Sequence, residues 1–148
     1  MGLYTFVDRD LMKIAYVTPS YFPDIGGGEF HGFYLSKTLA EFGHEVVVFT
    51  RGSARNIQRE RICNVKVVRL PSHISKRQYL LSSLGRKVLD FDPSIIFSHG
   101  PNLICDRVAI LAKIHKIPFF EWYIGDITKA SFARDCLARI YNNFHCII

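Results

Sequence analysis

Three consecutive glycines, Gly26, Gly27 and Gly28, sit at a junction that limits the chain's fold more than any other stretch. Residues 13–18 (KIAYVT) before them read as a strand. A loop with Pro19 and Pro23 follows, and Glu29 then opens a helical run to Phe42. Successive glycines are expected to use φ > 0 and to let a ligand approach the main chain. The helix start behind them presents unpaired N–H groups and about half a positive charge. Strand, glycine turn and helix together make a ready anion seat.

The spacing argues against a dinucleotide fingerprint. That fingerprint needs a glycine at the sixth place, and counting from Gly26 the sixth place is His31. It also needs its glycines directly behind the strand, whereas a proline-containing loop intervenes here. Arg51 behind the second strand suits a 2′-phosphate, but it does not restore the pattern.

Short β-rich runs alternate with amphipathic runs along the rest of the chain, which predicts a parallel sheet covered by helices on both faces. Strands are expected at residues 13–18, 45–50, 65–70, 94–98 and 118–123, with a sixth starting at 144. Helices are expected at 29–42, 76–91, 103–115 and 129–142. Leu35, Leu39 and Phe42 form the first helix's inward stripe, and Leu103, Leu111 and Ile114 the third's. Gly43 stands where a left-handed helix terminator belongs. Residues 52–63 are polar and read as a loop. The expected strand order is 3-2-1-4-5-6, which places the ligand site at the carboxyl ends of the strands, between the first and the fourth. His99 and Gly100 end the fourth strand, so they should meet Gly26, Gly27, Gly28 and Glu29 there.

Gly27-Gly28-Glu29, Leu35, Leu39 and Gly43-His44-Glu45-Val46, together with Asp92-Pro93 and His99-Gly100, resemble the first domain of the GT-B glycosyltransferases. The resemblance is to the retaining family 4, or group 1, type and runs from Met12 onward. It implies a Rossmann-like acceptor-side domain over residues 12–148, preceded by an N-terminal extension, residues 1–11, with Met12 as the start of the pattern. It also implies transfer of a hexose from a nucleotide sugar to an acceptor hydroxyl, with no cofactor and no metal. Substrate-binding positions would be Gly26, Gly27, Gly28, Glu29, His99, Gly100 and Asp126. Two features of the family are unmatched. The histidine often found after the fifth strand has no counterpart; Asp126 or Glu121 could hydrogen-bond a sugar hydroxyl instead, or Asp126 could simply begin the fourth helix. No two glutamates lie eight apart, as they do in the family's second, donor-binding domain. The resemblance therefore covers only the acceptor-side half. Two alternatives follow: a non-catalytic subunit of a split glycosyltransferase whose donor-binding chain is separate, or an inactive truncated product.

Charge adds one further expectation. The net charge is +6, and residues 51–77 hold most of the excess, with Glu60 their single acid. Arg55, Arg59 and Arg61 could face an anionic membrane surface, which suits a cytoplasmic protein peripheral at the membrane. Without aromatic interleaving or a groove-reading helix, the segment does not read as nucleic-acid binding. The four cysteines (Cys63, Cys105, Cys136 and Cys146) have neither zinc-site nor disulfide-framework spacing.

Overall fold

The computed structural model describes residues 11–52, 57–71, 84–100 and 103–123. Asp126, Arg55 and the elements expected at 129–142 and 144–148 lie outside these residues, as does the first half of the second helix. In chain order the elements are β1 (Lys13–Val17), α1 (Gly27–Glu41), β2 (Glu45–Arg51), β3 (Gln58–Ile62), β4 (Val65–Leu70), α2 (Leu84–Phe91), β5 (Ile95–Gly100), α3 (Leu103–Ile114) and β6 (Phe119–Tyr123).

The sheet order is β3-β4-β2-β1-β5-β6. The β1–β2, β1–β5, β2–β4 and β5–β6 pairs are parallel, and β3 is antiparallel to β4. The expected order therefore holds across the five parallel strands. Order reverses at β1, which pairs with β2 on one side and β5 on the other.

Residues 52–63 were expected to be a loop, and the structure corrects this: Gln58–Ile62 is an edge strand. Cys63 (φ 46°) and Asn64 (φ 67°) form a two-residue turn that returns the chain into β4. Two successive positive-φ residues match the right-handed twist of a hairpin. Cys63 is exposed at its tip. Three residues of β3, Arg59, Glu60 and Arg61, are charged and exposed, which blunts an edge that would otherwise invite pairing with another chain.

The core lies on both faces of the sheet. One layer combines Ala15, Val17, Val47, Phe49 and Ile96 with Leu84 and Val88 of α2 and Val108 and Ala112 of α3. The other combines Ile14, Tyr16, Val46, Val48, Val65 and Val67 with Phe33, Leu35 and Leu39 of α1. Strands covered twice carry apolar residues at successive positions, as in the buried centre of β2.

The two expected helix stripes need correction at their ends. Phe42 is 53% exposed and Ile114 70% exposed. Phe42 is the cap residue of α1, beyond its last full turn, and Ile114 ends α3. The buried positions of α1 are Gly32 and Ser36, with Leu35 and Leu39 packing beside them. Gly43 takes φ 93° as expected. Its N–H donates to the Ala40 carbonyl and that of His44 to the Leu39 carbonyl, which closes the helix end.

The proline loop is pinned to α1 by Tyr21, which is fully buried. Its hydroxyl lies 2.7 Å from Ser36 Oγ, and Ser36 Oγ is also 2.7 Å from the Gly32 carbonyl oxygen. Tyr21→Phe should therefore cost about 1 kcal/mol, a typical net hydrogen bond, because Ser36 keeps its backbone partner. Urea unfolding with an unchanged slope checks this, and a loss above about 3 kcal/mol would mean the loop itself had come away.

Candidate functional site

The carboxyl ends of β1, β5 and β6 meet beneath the first turn of α1. Gly26 caps the helix with extended backbone (φ −175°, ψ 167°), and Gly27 and Gly28 are already helical. The expectation that this triplet uses φ > 0 is overturned: among the described residues Gly43 is the positive-φ glycine. What the triplet supplies is space. A Cβ on Gly28 would stand 2.6 Å from Cε1 of His99. One turn on, a Cβ on Gly32 would stand 2.5 Å from the Tyr16 hydroxyl oxygen. Gly28 and Gly32 lie on one face of α1 and let it settle onto β5 and β1 closer than any side chain would allow. Gly27 faces the other way, with nothing within 4 Å of its Cβ position.

Glu29 sits three residues after the cap, where a carboxylate can turn back over a helix start. Its carboxylate accepts a short hydrogen bond from Ser20 Oγ and lies against the Cβ position of Gly26. The Ser20 hydroxyl and Glu29's own N–H hold its pKa below the usual carboxylate range. The helix end therefore already carries an anionic group of its own. A phosphate would have to compete with it, whereas a neutral hydroxyl could share its acceptor capacity.

His99 is half-buried near the end of β5, opposite Trp122 of β6 in the strand register. Its backbone carbonyl lies 3.2 Å from Cys105 Sγ, a buried thiol of α3. Burial, and then the neighbouring His31, push the His99 pKa down, with Glu29 opposing them. His31 reaches down from α1. Its ring stacks on Trp122 with centroids 4.6 Å apart and lies 6.1 Å from the ring of His99. The stack makes His31 a packing neighbour of Trp122. Nothing in the sequence pointed to Trp122 itself, because an aromatic residue near a strand end reads as core.

The structure thus brings Gly28 and Glu29 of the α1 start up to His99, about seventy residues further along, with Gly26 against the Glu29 carboxylate, Gly27 facing away and Gly100 next to His99 on β5. Glu121 lies next to this group on β6, with its side chain on the opposite face of the sheet from Trp122. Among the described residues there is no cluster of histidine, cysteine or acidic groups suited to a metal ion. No helix of the described residues is long and apolar enough to cross a membrane.

A mostly parallel, doubly covered sheet with a glycine-headed helix at its order reversal defines a Rossmann-like domain. The family pattern described as Glycosyltransferase Family 4 matches residues 25–148, and the chain belongs to that family. Among its curated relatives is the phosphatidylinositol N-acetylglucosaminyltransferase GPI3 subunit of Saccharomyces cerevisiae, found in three strains. Each is 32% identical over 67 residues, which is 45% of this chain and 15% of the relative. The match thus spans well under a quarter of the relative's length.

Proposed function

We propose that this chain forms the acceptor-side wall of a glycosyltransferase cleft. The complete enzyme moves a sugar from a nucleotide sugar onto an acceptor hydroxyl, and Gly26, Gly27, Gly28, Glu29, His99 and Gly100 line this wall. The observation that carries this reading is the seating of the α1 start directly on His99 at the sheet's order reversal. Such an edge is where open α/β sheets hold ligands. The relative's name suggests the acceptor class, an inositol phospholipid, and transfer of an N-acetylhexosamine. Its description as a subunit is in keeping with a separate chain completing the site. Catalysis in this arrangement is positioning and charge stabilisation, with Glu29 and His99 orienting the acceptor hydroxyl.

The exposed arginines Arg59 and Arg61 of β3 support a membrane-facing role for this edge. Each would add on the order of 1 kcal/mol at an anionic surface.

The test is amide chemical-shift mapping of the chain with a short-chain phosphatidylinositol and, separately, with a nucleotide sugar. The acceptor analogue is expected to shift the signals of residues 26–29 and 98–100, and the nucleotide sugar to shift them little. Incubated with both, the chain alone should transfer no sugar at an ordinary enzymatic rate. Shifts confined to other surfaces, or ready turnover by this chain, would overturn the proposal.

A further inference from the structure

His31, Trp122 and His99 come from three separate elements and form one layer of rings under the α1 start. We propose that His31 is a positioning residue for His99: braced against Trp122, it fixes the His99 ring beneath Gly28 and keeps that ring uncharged when a ligand arrives. The functional consequence rests on the reading of His99 as a wall of the cleft, but the ring layer itself does not.

The geometry supports this from three sides. First, His31 has little freedom, because its ring stacks on the indole at 4.6 Å with an interplanar angle of 26°. Its Nδ1 is buried without a hydrogen-bond partner among the described residues. Second, His99 cannot rise, because the main chain at Gly28 lies directly over its Cε1. Third, the surroundings disfavour a proton on His99. The positive end of α1 is above it and a second imidazole is 6.1 Å away. The titratable groups that act on the ring are His31 and Glu29, both of α1; Tyr16 lies on the neighbouring strand β1, and the Cys105 thiol of α3 reaches only the His99 main-chain carbonyl. Glu29 alone pulls towards the charged form, and it is already engaged by Ser20. Burial favours the neutral tyrosine, raising its pKa. A neutral imidazole can donate from one nitrogen and accept at the other, which suits the recognition of a hydroxyl. An imidazolium could only donate.

Trp122 is the chain's single tryptophan, so the layer reports on itself. The experiment is a pH titration of the full chain, following each histidine Cε1 proton by NMR and the indole emission by fluorescence. Two variants accompany the wild type. His31→Phe keeps a ring on Trp122 but removes the neighbouring imidazole, and His31→Ala removes the ring altogether.

In His31→Phe the titration midpoint of His99 should rise, and any pH response of the Trp122 emission should shift with it. The contact between the His99 Cε1 proton and the Gly28 α-protons should survive in that variant and be lost in His31→Ala. If His31→Ala does not fold, His31→Phe alone decides the matter. A folded His31→Phe protein whose His99 midpoint does not move would overturn the proposal and leave His31 as packing. So would a His31→Ala protein that keeps both the Gly28 contact and the wild-type midpoint. None of these readouts needs a sugar substrate. If the rings respond as expected while acceptor analogues fail to shift residues 98–100, the cleft assignment falls and the ring coupling stands.

Discussion

Gly32→Val should destabilise the chain by about 3 kcal/mol, the upper end of the cost of overpacking a filled interior. A Cβ at position 32 would meet three Tyr16 atoms at once: the hydroxyl oxygen at 2.5 Å, Cε1 at 2.9 Å and Cζ at 3.0 Å. Tyr16 lies in β1 and is 2% exposed, so its ring has nowhere to swing. The better helix propensity of valine returns less than 1 kcal/mol. For a domain of this size, 3 kcal/mol corresponds to a melting temperature lower by about 10 °C. Gly27→Ala makes the control. Nothing surrounds that position, so the substitution should be neutral or stabilising by up to about 1 kcal/mol. The close contact is also separable from the glycine itself. Tyr16→Phe removes the nearest of the three atoms, and a double-mutant cycle should show partial rescue of Gly32→Val. Strictly additive losses would mean that the helix pays for valine somewhere other than on Tyr16.

The same contacts explain what could be read from the sequence and what could not. The βα alternation and the uninterrupted apolar strands were enough to order the five parallel strands, because burial on both faces leaves a strand few other places. The meeting of the α1 start with His99 followed from that order. The edge strand β3 did not. Its residues Gln58, Arg59, Glu60 and Arg61 carry no apolar alternation, and its turn is Cys63-Asn64 rather than a glycine-containing pair. A strand held by one neighbour and by ion pairs such as Arg69–Glu60, at 2.5 Å, leaves little hydrophobic pattern to read. The glycine triplet was located correctly, but its physical use was not. A glycine kept for φ > 0 and a glycine kept for a close approach look the same in sequence. Only the position of His99 and Tyr16 tells them apart. Trp122 is illegible in the sequence for a similar reason, since its partner His31 lies 91 residues earlier on another element.

Glu29→Ala tests whether the α1 start is a seat for anions or is closed to them. The carboxylate follows the cap by three residues, bonds Ser20 and covers Gly26, so it joins the proline loop to the helix. Losing both the capping role and the Ser20 partner should cost about 2 kcal/mol at neutral pH. The pH dependence has a definite sign. The folded-state pKa is lowered, so the stabilisation is fully present above the ordinary glutamate value and is lost as the pH falls through the folded one. The gap between wild type and Glu29→Ala should therefore be wide at pH 7 and close on acidification below about 4.5, the ordinary glutamate value. Glu29→Gln should fall between the two, since an amide can hold Ser20 but brings no charge to the helix end. Added inorganic phosphate separates the two views of the site. If Glu29 is what keeps anions away, phosphate should raise the melting temperature of Glu29→Ala more than that of wild type. An equal response in both proteins would mean that the carboxylate does not guard the helix end, and the preference for a neutral hydroxyl would lose its physical basis.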